Sequence, residues 1–246
     1  MCIRTESEHY RRLKGEPANT MGALYWQLNS IWQAPTWSSL EYGNHWKILH
    51  YHVAKFFNDT IISSYLDINN NYIVYLTTDT YASQTGTWAI NAVRWADNSI
   101  AYSWSNSYTL PSFGSKQIFN SPLQTMLQLA NSANTTVLFT LTWSVNSKVI
   151  AANEFYLTSF ADIALPPVSF NHTITGTTSS TVSFTLSSTA LAPFTFLETA
   201  VAGRFSDNGF LLSPSAPRAL TFFASETFTL QQFEQSLYIR TVRDTY

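Results

Sequence analysis

The spacing of apolar residues changes rhythm twice along the chain. Residues 3–14 mix charged and apolar positions in the manner of a helix end. Gly15-Glu16-Pro17 stops that helix, because Pro cannot continue one and Gly ends one cheaply. Met21–Asn29 is a nearly continuous apolar run, which predicts a strand buried on both faces, as in a parallel sheet or barrel. A loop over 30–43, rich in Trp, Ser and Pro, follows it. Trp46, Leu49, Val53 and Phe56 then recur at steps of three and four, which marks one apolar helix face. Ser38 or Ser39 is placed to cap that helix. Strand, loop and helix make a βα unit, and a single such unit cannot bury its own faces.

After Phe57 the period falls to two. Ile100, Tyr102 and Trp104 alternate with Ala101, Ser103 and Ser105, and Val137–Val145 alternates in the same way. Hydroxyls on one face and apolar groups on the other mark half-buried antiparallel strands. Between them, Ser121 as N-cap and Pro122 as first helical residue open a short turn carrying Leu123, Met126 and Leu127. The Pro166-Pro167 pair breaks the pattern, which places a domain boundary near 162. Short strands follow at 170–176, 180–188, 194–199, 219–224 and 235–242, with a turn at Asp207-Asn208-Gly209. The fold class is therefore mainly β, with two β-sandwiches behind one βα unit.

Composition agrees: 45% of residues are hydrophobic and only 11% charged, with Ser, Thr and Asn filling the polar positions. The net charge of −2 gives no electrostatic footprint for nucleic acid. The one basic run, Arg11, Arg12 and Lys14, reads as a solvated helix end. No stretch approaches the roughly 18 apolar residues a membrane span needs. The polar residues 1–20 are no signal peptide, so within a secretory protein this chain would be a fragment. Cys2 is the lone cysteine and has no internal disulfide partner.

Three Asn-x-Thr sequons, at Asn58, Asn134 and Asn171, are N-glycosylation candidates. His50 and His52 lie two apart, facing away from each other on a helix, and cannot share a metal. No phosphate loop and no Gly-x-Ser-x-Gly occurs, so no cofactor is expected.

Two blocks carry a resemblance. One is Met21-Gly-Ala-Leu-Tyr-Trp-Gln-Leu-Asn29, with Ile31-Trp32-Gln33-Ala34-Pro35, Trp37, Ser39-Leu40-Glu41-Tyr42-Gly43 and Trp46-Lys47 after it. The other is Gly203-Arg204-Phe205-Ser206-Asp207-Asn208-Gly209-Phe210, with Ala192-Pro193-Phe194 before it and Glu234-Gln235-Ser236-Leu237 after it. Both resemble the β-mannosidases of glycoside hydrolase family 2.

The resemblance implies a domain plan. Residues 1–57 match the end of a (β/α)8 barrel, with its last strand at 21–29 and last helix at 39–57. Residues 58–161 and 162–246 match two immunoglobulin-like sandwiches. It also implies an exo-acting, retaining hydrolase of terminal β-D-mannose in glycoprotein-derived oligosaccharides, lysosomal when full length. Retention needs two carboxylates roughly 5–5.5 Å apart. In the family both are glutamates on earlier barrel strands, and Glu6, Glu8, Glu16 and Glu41 read as surface or capping acids, so the chain alone is expected to be inactive. What remains is pocket wall. The resemblance puts Trp26 at the mannose subsite, with Asn29 beside it and Trp32 and Trp37 at the mouth. Ser30 stands where the family usually has Asp, which removes a carboxylate that would fix the loop. The partner is then a β-mannoside oligosaccharide. The competing reading is a non-catalytic glycan-binding or structural module, with Trp88, Trp95 and Trp104 as a sugar platform or, alternatively, as core.

Overall fold

A computed structural model describes residues 2–14, 20–43 and 45–245. The Gly15-Glu16-Pro17 stop lies outside the described residues, as does the side chain of Cys2. The chain divides into two compact units: Met1–Tyr25 with Val53–Trp95 and Ser99–Ala164, and Trp26–His52 with Ala96–Asn98 and Leu165–Tyr246. Residues 1–57 are thus shared between units rather than standing as one.

In the first unit the helix α1 (Cys2–Arg12) and the end of α2 (Ile48–Phe56) precede a β-sandwich. One sheet orders β1 (Thr60–Leu66), β2 (Asn71–Thr78) and β5 (Ser115–Pro122) as β1-β2-β5. The other contains β3 (Gln84–Arg94), β4 (Ile100–Leu110), β6 (Val137–Val145) and β7 (Lys148–Tyr156), in the order β4-β3-β6-β7. All these pairings are antiparallel. Period-two residues from both sheets meet in one core: Tyr72, Val74 and Leu76 from the first, Ile90, Phe139, Leu141 and Trp143 from the second. Trp88 and Trp95 are buried, which removes them as a sugar platform, and Trp104 packs its ring on Phe119 and Phe139. At the start of the short helix α3 (Leu123–Leu129) Pro122, not Ser121, occupies the N-cap position and no side chain caps the helix; the Leu123 amide donates to the Asn70 carbonyl.

The second unit is also a sandwich. Strands β8 (Phe170–Thr177), β9 (Thr181–Ser188), β11 (Gly203–Phe205) and β13 (Arg218–Ala224) order as β11-β13-β9-β8. Strands β10 (Ala192–Glu198), β12 (Phe210–Leu212) and β14 (Tyr238–Arg240) order as β12-β10-β14. The Asp207–Gly209 turn carries the chain from one sheet to the other, with Gly209 at a φ of 66°. The expected strand 235–242 is shortened to β14, and the helix α4 (Leu230–Ser236) takes its first two residues. The cause of the helix is a capping box, Thr229 with Gln232, which satisfies two orphan amides at once.

Residues 21–29 do not form the expected strand. Their one bridge joins Asn29 to Leu40. A parallel strand needs neighbours on both sides, and the described residues supply none along Met21–Leu28. The expected helix 39–57 is shortened to α2 because Leu40 pairs with Trp46 across a turn in which Gly43 has a φ of 90°.

The basic run is not solvated. Arg11 and Arg12 are only 9% and 7% exposed. Arg11 donates to the Phe56, Asn58 and Asp59 carbonyls and to Asp79 Oδ2 at 2.8 Å. It thereby caps the carboxy end of α2, whose last carbonyls have no helical partner. Lys14 also pairs with Asp79. Arg12 lies over the Tyr65 ring at 4.3 Å. Glu8, expected at the surface, is buried, accepting from Arg4 at 3.1 Å and from the Asn153 amide at 2.9 Å. A solvated helix and a charged docking face have the same sequence signature, and only the partners separate them.

Arg11→Met should cost about 3 kcal/mol of stability, because it takes the donor from the Phe56 and Asn58 carbonyls and leaves Asp79 with Lys14 alone. Glu6→Gln, on the exposed side of α1, should change stability by no more than about 0.5 kcal/mol. Urea unfolding midpoints test both, and equal midpoints would remove Arg11 from this role. Burial alone would raise the Asp79 carboxyl, but Lys14 and Arg11 outweigh burial and hold it below its ordinary value of 3.8. Its contribution is therefore present at neutral pH and lost as pH falls below that value.

Candidate functional site

Residues 26–40 in the second unit build a loop with its polar side in and its apolar side out. Its ends are tied by backbone: the Leu40 amide donates to Leu28 at 2.8 Å, the Ser30 amide to Leu40 at 2.9 Å, and the Ser39 amide to Gln27 at 3.0 Å. Inside, the hydroxyls of Ser30, Thr36 and Ser38 form a triangle with sides of 2.6 to 2.7 Å. Lys47 Nζ closes it, donating to the Thr36 carbonyl at 3.2 Å and to Ser38 Oγ at 3.4 Å. Ser30 thus helps fix the loop through its hydroxyl. Neither Ser38 nor Ser39 caps a helix. Ser39 Oγ donates to the Leu28 carbonyl at 3.0 Å and lies 2.9 Å from His50 Nδ1.

The outer side holds the indoles. Trp26, Trp32 and Trp37 are 75%, 64% and 78% exposed. Asn29 is exposed as well, and its amide reaches the Ser30 carbonyl at 3.5 Å. The Trp26–Gln27 peptide bond is cis. All the expected pocket-wall residues therefore sit on this one loop. Large exposed aromatics over buried hydroxyls reverse the usual arrangement, and such a reversal marks a surface built to be covered or to bind. Sequence reading missed Thr36 and Ser38 as loop-fixing groups; the available signal was the cluster of hydroxyls Ser30, Thr36, Ser38 and Ser39 interleaved with the indoles.

Behind the loop, α2 packs on the second sandwich. The Tyr51 hydroxyl accepts from the Phe205 amide at 3.1 Å, and burial pushes that phenol up. Arg204 lies over Trp46 at 4.9 Å. His50 turns to Ser39 and His52 to the Phe194 ring. A hollow of about 340 Å³ here is lined by Tyr51, Phe205 and Asn208, with Glu41 and Glu198 among its other walls. Two glutamates thus share one hollow. Each faces a cation, Glu41 with Lys47 at 3.9 Å and Glu198 with Arg240 at 3.5 Å, and both side chains are about half exposed. Neither carboxylate is buried, and each is engaged by its own cation rather than facing the other alone. Among the described residues no cluster could hold a metal ion, and no helix is long and apolar enough to cross a membrane.

Comparison with known proteins fits this arrangement. A model of the mannosidase Ig/CBM-like domain matches residues 70–162, and one of the mannosidase Ig-fold domain matches 165–245. The β-mannosidase of Bos taurus is 31% identical over the whole chain. The chain belongs to the β-mannosidase family. It spans about 29% of the length of that relative and 27% of β-mannosidase A of Aspergillus fumigatus, which is 26% identical over 98% of the chain. The match falls on the carboxy-terminal part of these glycoside hydrolases. Among solved structures, β-D-mannosidase of Dictyoglomus thermophilum superposes with a TM-score of 0.79 at 19% identity, covering 98% of this chain and 28% of that one. An exo-chitosanase of Amycolatopsis orientalis gives 0.66 at 17% identity, covering 97% and 32%. These last two likenesses speak for the fold: mainly β, with immunoglobulin-like sandwiches.

Ser30→Ala should loosen the loop at a cost of about 1 kcal/mol. The measurement is hydrogen exchange of the Ser30 and Leu40 amides, expected to quicken while β6 is unchanged. Unchanged loop exchange would show the hydroxyl triangle to be idle. Burial lowers the His50 imidazole below 6.5. The neutral ring is thus favoured by folding, and its contribution, complete above that value, is lost as pH falls through the folded value. The protection factors of the loop amides, with the intrinsic pH dependence of exchange divided out, should therefore fall on acidification, and His50→Gln should remove that fall.

Proposed function

We propose that this chain is the carboxy-terminal part of a retaining, exo-acting β-mannosidase. In this reading residues 1–57 close a (β/α)8 barrel, and 58–161 and 162–246 are the sandwiches behind it. The Trp26 indole packs on the C–H face of a terminal β-D-mannose, Asn29 hydrogen-bonds its hydroxyls, and Trp32 and Trp37 form the mouth. Two glutamates from the remainder of the enzyme cleave the bond, one as acid/base and one as nucleophile. The substrate is a β-mannoside oligosaccharide released from glycoproteins, and the compartment is the lysosome. The observation that carries this is the inside-out loop: exposed indoles held by a buried polar lock, at the segment that resembles the last barrel strand.

The shared hollow of Glu41 and Glu198 favours a second reading, in which this chain carries its own carboxylate pair. A chimaera separates the two. Joined to the remainder of the bovine relative, the chain should give an enzyme that hydrolyses a chromogenic β-mannoside. Trp26→Ala should lower its kcat/KM by at least about tenfold, or about 1.4 kcal/mol. Glu41→Gln and Glu198→Gln should leave turnover within about twofold, well under that energy. An unaffected Trp26→Ala chimaera, or one silenced by either glutamate change, would overturn the first reading.

A further inference from the structure

One edge of the second sandwich, strand β8, carries the most specific unassigned feature. Among the described residues strand β8 pairs only with β9, so its other side presents backbone groups without a strand partner. Exposed edges recruit other strands unless charge, Pro, a bulge or a cover blunts them. The strand Phe-Asn-His-Thr-Ile-Thr-Gly-Thr contains no Lys, Arg, Asp or Glu. A bulge between Ile174 and Gly176 bends its second half. The first half, Phe170–Ile174, keeps regular register with β9 and has no such guard.

That unguarded half holds the sequon Asn171-His172-Thr173. Asn171 and Thr173 are both exposed and, two apart on a strand, point to the same face. His172 turns inward against Phe184. The other two sequons differ. At Asn58 the Thr60 hydroxyl is buried against Thr78 Oγ1 at 2.8 Å, and the Asn58 side-chain oxygen accepts the Asp59 amide. At Asn134 the Thr136 hydroxyl is bonded back to Ala133.

We propose that Asn171 is an N-glycan attachment site and that its glycan is the guard for the β8 edge. The donor class is a lipid-diphosphate-linked oligosaccharide. Asn171 Nδ2 forms a bond to C1 of the first sugar and loses a proton, the C1–O bond breaks, and the lipid diphosphate leaves with the electron pair. No oxidation is involved. A bulky hydrated group at Asn171 screens the flat half of the strand, the one part the bulge does not reach.

The experiment uses the full chain, secreted from eukaryotic cells behind an added leader, with glycopeptide mass spectrometry and sedimentation velocity. Asn171 should be found modified, and Thr173→Val, close in shape to the parent, should lose that glycopeptide. Asn171→Gln should shift sedimentation toward associated species. Asn171→Lys should stay monomeric without a glycan, since charge also guards an edge. Recovery of the Asn171 peptide bare in the secreted parent would overturn the site. Identical sedimentation of the parent and Asn171→Gln would overturn its role as a guard.

Discussion

A guanidinium removed from water must find acceptors for all its protons, and Arg11 finds them where three elements end. It collects the last carbonyls of α2, the backbone entering β1, and Asp79 beyond β2. Asp79 also has Lys14, and the Asp59 carbonyl also accepts the Asp79 amide, but the Phe56 and Asn58 carbonyls take their bonds from Arg11, so the cation and its ring of oxygens hold one another in place. Arg4, Glu8 and Asn153 repeat the arrangement one turn up the helix. The first unit is therefore a sandwich with a helix fixed to it by buried charge, and the apolar core of Tyr72, Phe139 and Trp143 supplies bulk stability behind it.

The second unit applies similar chemistry to a different end. Ser30, Thr36, Ser38 and Lys47 spend their hydrogen bonds inside a loop whose indoles face out. Local polar contacts give the loop its shape without drawing its aromatics into a core. That division leaves Trp26, Trp32 and Trp37 available to a sugar or to the rest of a barrel. Ser30 bonds the Thr36 and Ser38 hydroxyls, and Lys47 reaches the same lock through Thr36 and Ser38.

Much of this was legible in the sequence. Strand β6 falls where alternation puts it, and Phe139, Leu141 and Trp143 are its buried side. The indole loop was legible as a set of candidate residues. Partners were not legible. Arg11, Arg12 and Glu8 read as surface charge because burial of an ion depends on hydrogen-bond partners up to 145 residues away, as with Asn153, which donates to Glu8. The run Met21–Asn29 read as a strand because apolar continuity signals burial, but a strand exists only through its neighbours. Helix α4 was missed although Thr229 and Gln232 carry a capping signature, because strand-like residues on either side outweighed it.

The central claim is that this polypeptide shapes a sugar site without performing the cleavage. Assaying the purified chain with a chromogenic β-mannoside tests it most directly. The account predicts no release above buffer at any pH; turnover that disappears in Glu41→Gln or Glu198→Gln would contradict it.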